Sequence, residues 1–255
     1  MSTGLEIEGL TVRFGGLVAV DGLSLAAPSG SITGLIGPNG AGKSTTFNAC
    51  CGVVRPAEGR ILLDGRDLAG VSVSGRARLG LGRTFQQMEL FESLPVRVNV
   101  ALGREGALAG RSPLSHVLSR RSERNAIEAA ADAAVEACEL SEVADRPVQE
   151  LSTGQRRLVE LARALAGQYR FLLLDEPSSG LDTHETRRFA EVVERAVDEH
   201  GVGVLMVEHD MDLVLSSCSH IHVIDFGRPL FQGTPDEVRS SEIVRAAYLG
   251  TEVVV

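Results

Sequence analysis

Three glycines and one lysine constrain this chain more than any other feature. Gly37-Pro38-Asn39-Gly40-Ala41-Gly42-Lys43-Ser44-Thr45 follows a short, mostly apolar stretch, Ser31–Ile36, and precedes a predicted helix. Strand, glycine loop and helix in that order are the context a phosphate-cradling loop requires. Glycines let the backbone turn so that successive N–H groups face inward on phosphate oxygens, and the positive helix end reinforces them. Lys43 then reaches the β and γ phosphates, and the Ser44 hydroxyl binds Mg²⁺. Among the 25 Lys and Arg residues, Lys43 is the only lysine. A compact, three-donor ammonium fits between phosphates where a planar guanidinium is too bulky.

Such a loop, of Walker A type, needs a metal-side carboxylate at the end of another strand. Phe171-Leu172-Leu173-Leu174-Asp175-Glu176 supplies it, with Asp175 expected to hold the Mg²⁺ shell. Glu176 sits where a carboxylate can polarise an attacking water, so it is assigned as general base. These features predict an ATPase or GTPase. The guanine-reading pattern Asn-Lys-x-Asp is impossible here because the only lysine is already used, which leaves a nucleotide kinase, a helicase or an ATP-binding cassette.

The segment before Asp175 decides. Leu151-Ser152-Thr153-Gly154-Gln155-Arg156-Arg157 resembles the signature of ABC ATP-binding cassettes. Physically, Ser152 is a good N-cap and Gly154 allows close backbone approach, so this helix start is a second phosphate-binding element. The resemblance implies that the signature of one subunit completes the site of another, with ATP sandwiched in a head-to-tail dimer. Thr153 stands where the family usually has Gly. Further landmarks match in order. Arg83-Thr84-Phe85-Gln86 resembles the Q-loop, in which Gln86, with Gln87 as a competing candidate, contacts Mg²⁺ or its water and links the site to a transmembrane partner. Ser179-Gly180-Leu181-Asp182 resembles the D-loop, with Asp182 reaching across the dimer. Val207-Glu208-His209-Asp210 resembles the switch region, which places His209 beside the γ phosphate. Phe14, ahead of Gly15-Gly16, is the aromatic on which adenine stacks.

Phe14–Val20, the Arg-Thr-Phe-Gln segment, the long insertion near Leu102–Arg124, Glu208–Met211 and the ending Ala247-Tyr248-Leu249-Gly250 are similar to the ATPase subunits of branched-chain amino-acid importers. That resemblance implies two membrane permease subunits, a second ATP-binding subunit, a periplasmic or extracellular solute-binding protein, and a place on the cytoplasmic face of the membrane. Relatives of that family carry urea, amides or aromatic acids. The ATPase of a lipopolysaccharide exporter and a soluble, non-transport ABC ATPase are the alternatives.

Composition agrees. A net charge of −9 lacks the basic footprint that nucleic acid attracts, so no nucleic-acid partner is expected. The four cysteines include no CxxC pair and read as reduced, mostly buried residues. Glu6 and Glu8 exclude a signal peptide at the N-terminus. The uncharged stretch Gly22–Gly42 is too rich in Gly, Pro and hydroxyls to be a transmembrane helix.

Along the chain, Leu5–Val12, Ser31–Ile36 and Ile61–Leu63 read as early pieces of small antiparallel strands around a central strand. Pro95–Gln168 reads as helical. One stripe there carries Ile127, Ala130, Ala134 and Cys138, and another Leu158, Leu161, Ala162 and Leu165. Phe171–Leu174, Val202–Val207 and Ile221–Ile224 read as strands, Asp182 and Glu185 as a capping box, and Thr234–Leu249 as a helical tail. The expected fold class is α/β, a P-loop NTPase of the ABC ATPase type. It has a mostly parallel core sheet, an antiparallel β-subdomain and an inserted helical subdomain at about residues 90–167. A single domain is expected over 4–250, with a tail at 251–255.

Overall fold

Short runs of unbroken apolar residues become the strands buried on both faces, as expected for a parallel sheet covered by helices. In a computed structural model describing residues 3–84, 89–108 and 120–249, β3 (Ile32–Ile36), β7 (Phe171–Asp175) and β8 (Gly203–Val207) are buried at every position. The chain divides into two units. The first comprises Met1–Arg83, Arg170–Glu176 and Val197–Val255, and the second Thr84–Tyr169 and Pro177–Ala196.

The first unit holds both sheets. A four-stranded sheet in the order β2-β1-β4-β5 contains β1 (Gly4–Phe14), β2 (Leu17–Pro28), β4 (Glu58–Leu63) and β5 (Arg66–Asp67). All of its pairings are antiparallel. The six-stranded sheet runs β10-β9-β3-β8-β7-β6, completed by β6 (Leu81–Arg83), β9 (His220–Asp225) and β10 (Arg228–Gly233). Only β10 is antiparallel to its neighbour. Ile32–Ile36 is thus a parallel strand at the middle of the core sheet. About a third of the uncharged Gly22–Gly42 stretch, Gly22–Pro28, belongs to β2, a strand that the sequence reading does not assign because Asp21-Gly22 interrupts its alternation. Gly22 has φ +67, and Leu23, Leu25 and Ala27 beyond it are buried. Leu5, Ile7, Leu10, Phe47, Phe171, Leu173 and Leu205 share one apolar core.

Register brings three strand ends level. Asp175 of β7 pairs with Val207 of β8, which pairs with Leu35 of β3. The chain therefore leaves all three strands along one carboxyl edge, where open α/β sheets bind ligands.

In the second unit, α3 (Val96–Leu108), α4 (Arg120–Ala137) and α5 (Thr153–Ala166) pack on one another. Helices α1 (Lys43–Cys51), α2 (Val73–Arg78), α6 (Thr183–His200) and α7 (Met211–Ser217) fall between strands along the chain. Close approach is explicit at Gly103, where a Cβ would lie 1.9 Å from the Arg163 carbonyl oxygen. The apolar stripe on α4 is rotated from the expected one. Ala131, Ala134, Val135 and Cys138 are buried, whereas Ile127 and Ala130 are half-buried. On α5, Val159 is buried and Leu165 is half-buried. Part of the insertion, 109–119, the Gly250 that ends the tail motif, and residues 251–255 lie outside the described residues.

The tail is two helices, α8 (Pro235–Ser240), opened by a Thr234/Glu237 capping box, and α9 (Glu242–Leu249). All four cysteines are thiols, with Cys51 half-buried and the others buried. No helix among the described residues is long and apolar enough to cross a membrane.

Burial holds the His222 imidazole down to about 4, opposed by the Ala26 carbonyl 3.3 Å from Nε2. An unfolded histidine takes up its proton near pH 6.5, so between pH 6.5 and 4 the unfolded state binds more protons and stability is lost as the pH is lowered. The loss amounts to about 2–3 kcal/mol by pH 4. His222→Gln is expected to flatten that part of the melting-temperature profile. An identical profile in the variant would assign the acid sensitivity to carboxylates.

Candidate functional site

The loop after β3 can be built only from glycine at its tightest points. Gly37 has φ +158, and a Cβ there would lie 2.1 Å from the Ile224 carbonyl oxygen. Gly42 has φ +99, and a Cβ would lie 2.6 Å from the Ala19 carbonyl oxygen. Helix α1 begins on Gly42 with no side-chain cap. Ser152, Asp210 and Thr234 each cap the helix they open. The first N–H groups of α1 are therefore available to an anion.

Lys43 is buried, and its Nζ donates to the carbonyls of Gly37 at 2.7 Å and Pro38 at 3.0 Å. The ammonium thus lies over the loop that its own backbone forms. Burial lowers its pKa, and the charges of Glu176 and Asp175 oppose that shift.

A cleft of about 530 Å³ opens over this loop. Asn39, Gly40, Ala41, Gly42, Lys43, Ser44 and Thr45 line it, joined by Glu176 and, from the β1–β2 hairpin, by Phe14. Phe14 is half exposed, as a stacking platform must be. Glu176 follows β7 with φ +46, its N–H donating to Val207 at 2.9 Å. A non-glycine residue held in the left-handed region is the kind of strain that collects at functional sites.

Asp175 is buried and paired with Arg83 at 2.7 Å. The same guanidinium donates to Asn48 Oδ1 at 2.7 Å and lies over the Phe47 ring. Arg83 therefore ties β7 to α1, a role the sequence reading does not give it, although it stands first in the Arg-Thr-Phe-Gln segment. Gln86 and Gln87 lie outside the described residues.

His209 is largely exposed and is not part of the cleft lining. Glu208, fully buried beside it, accepts from the His209 N–H at 3.0 Å and the Asp210 N–H at 3.4 Å. A buried carboxylate thus shapes the turn that carries the histidine. The only sequence signal for it is a charge directly after five apolar residues.

The second unit carries the other helix start. Ser152 Oγ accepts from the Gln155 N–H, and the Gln155 side chain accepts from the Ser152 N–H, a complete capping box. Thr153 is exposed. Gly154 is explained by Glu185, whose Oε1 accepts from the Gly154 N–H at 3.3 Å and would lie 2.5 Å from a Cβ there. Glu185 Oε2 also accepts from the Asp182 N–H at 3.3 Å, and Asp182 Oδ1 accepts from the N–H groups of His184 and Glu185. Glu185 therefore joins the signature to the Asp182 turn as well as serving the expected capping box.

Known proteins are similar to this chain. The family described as ABC transporter matches residues 20–179. The branched-chain amino acid transport ATP-binding protein BraF of Pseudomonas aeruginosa is 42% identical over 253 residues, covering 96% of this chain and 97% of its own. The chain belongs to the ABC transporter family. Its cassette fold is similar to that of the ADP conformation of MJ1267, an ATP-binding cassette of an ABC transporter. The two share a TM-score of 0.85 and 30% identity, over 98% of this chain and 99% of that one. A second family description, branched-chain amino acid ATP-binding cassette transporter, matches residues 228–254. The lipopolysaccharide export ATP-binding protein LptB of Haemophilus influenzae is 34% identical over 97% of this cassette and 98% of its own chain. The cassette is thus a nucleotide-binding ATPase subunit of the kind that pairs with transmembrane components.

Proposed function

We propose that this cassette hydrolyses ATP to drive import of branched-chain or related amino acids through two permease subunits fed by a solute-binding protein. The observation that carries the proposal is the match of residues 228–254 to the branched-chain family, outside residues 20–179 that match the general ABC transporter family. The higher identity to BraF than to LptB supports it.

Within the site, the Gly37–Thr45 loop and Lys43 grip the phosphates while Phe14 stacks on the base. The donor set fits Mg²⁺: an exposed Ser44 hydroxyl and the Asp175 carboxylate are hard oxygens, and this ion takes few protein ligands beside phosphate. Gln86 is assigned to the same ion. When bound, Mg²⁺ neutralises phosphate charge. Glu176 accepts the proton of the attacking water, and His209 orients that water against the γ phosphate. Asp175 is held in place by Arg83. Ser152, Thr153, Gly154 and Gln155 of a second ATP-binding subunit, same or related, approach the phosphates from the opposite side, together with its Asp182. ATP thereby favours the closed pair of cassettes, and this difference in affinity drives the permeases. Attachment through the permeases places the cassette on the cytoplasmic face of the membrane.

Inverted vesicles or proteoliposomes containing the cassette, both permeases and the binding protein provide the test. ATP-dependent movement of labelled leucine, isoleucine or valine is expected, and its loss on Glu176→Gln. Transport of none of these solutes or their relatives, with association to lipopolysaccharide-export components instead, would overturn the assignment.

A further inference from the structure

We infer that Phe226 is a second aromatic wall of the nucleotide cleft and strengthens its hold on the base, an inference that rests on the reading of the Lys43 loop as the triphosphate site. Phe226 is 85% exposed, more than any other large apolar side chain among the described residues. Packing in the core therefore gives no reason for a phenylalanine there. Its backbone gives a reason against one. Phe226 has φ +44 and Gly227 φ +80, the paired left-handed geometry of a two-residue hairpin turn between β9 and β10. Asn, Asp or Gly adopts the first position readily, whereas a bulky aromatic is strained.

The turn is fastened to the phosphate loop. The Gly227 N–H donates to the Ala41 carbonyl at 3.1 Å, and the Asp21 N–H donates to the Gly227 carbonyl at 2.8 Å. Arg228 pairs with Asp21 at 2.8 Å, securing the next residue. Phe226 is thus presented from a rigid mount, and it lines the same cleft as Phe14 and Lys43. Among the described residues, three of the eight exposed large apolar ones, Phe14, Leu17 and Phe226, belong to this one lining. The chain has 4% aromatic residues and no tryptophan, so that clustering is not a general property of its surface. The phosphate-binding part of the cleft is polar backbone and Lys43, and the apolar part is suited to a planar base. Ring stacking is tolerant of base identity because every base has a π face. Phe226 accordingly favours nucleoside triphosphates over inorganic triphosphate, with little discrimination between adenine and guanine.

Calorimetric titration of the full chain with ATP, GTP and inorganic triphosphate tests this in wild type, Phe226→Asn and Phe226→Tyr. The Asn variant is expected to lose about tenfold in affinity for ATP and GTP and to leave inorganic triphosphate unaffected. Because Asn accepts the left-handed backbone, its melting temperature is expected to rise by about 2–4 °C. The Tyr variant keeps all three affinities. Unchanged ATP affinity in Phe226→Asn, or equal weakening of inorganic triphosphate, overturns the inference. Loss of ATP binding in Lys43→Ala but not in Phe226→Asn removes the Phe226 assignment alone. Wild type and Lys43→Ala binding ATP alike would remove the loop reading and this inference with it.

Discussion

Glu176→Gln is expected to slow ATP turnover by about 10²–10⁴-fold while leaving ATP binding intact. The amide preserves the size of the side chain and its position after β7, where the N–H to Val207 hydrogen bond and the left-handed backbone hold it over the cleft. It removes only the capacity to take a proton from water. Steady-state hydrolysis by the assembled transporter measures the effect, with nucleotide binding measured on the same preparation. Turnover equal to wild type would remove Glu176 from the base role. Loss of both turnover and binding would mean that the residue supports the cleft and does not act on the water.

Lys43→Ala is expected to weaken ATP binding by about 10²–10⁴-fold, since charge-assisted hydrogen bonds contribute about 1.5–3 kcal/mol each and two phosphates share the ammonium. Two of the three ammonium donors lie on the Gly37 and Pro38 carbonyls, so a bond to a second phosphate takes over one of them. Those carbonyls lie on the concave loop, so the head group is held where the phosphates arrive. Filter binding or calorimetry with ATP at several concentrations reads the change. Affinity within a factor of about two of wild type would contradict the role of the loop, being far below the loss expected for two charge-assisted bonds.

Legibility from sequence follows the reach of each interaction. The glycine turn ahead of Lys43, the buried strand ahead of Asp175 and the helix caps at Ser152, Asp182 and Thr234 depend on residues within a few positions of one another, so pattern alone exposes them. The β2 strand is hidden because its alternation is broken at Asp21-Gly22 and its pairing partner, β1, sets its register. Arg83, Glu185 and Phe226 escape a sequence reading for a different reason. Each acts through a neighbour distant in sequence: Arg83 through Asp175, Glu185 through Gly154, and Phe226 through a turn fastened to Ala41. A one-dimensional reading sees an arginine, a capping glutamate and a hydrophobic residue before a glycine. The helical stripe on α4 is rotated by one position because alanine, small enough for either a buried or an exposed site, carries little directional signal.

The central claim is that ATP is held between the Lys43 loop of one cassette and the Ser152 helix start of another. Cross-linking tests it most directly. Asn39→Cys in one copy and Thr153→Cys in the other, both exposed positions, are combined with Glu176→Gln in the assembled transporter. An interchain disulfide that forms with Mg-ATP and not without nucleotide is the predicted result. No disulfide at saturating Mg-ATP, or one that forms equally in its absence, would contradict the account.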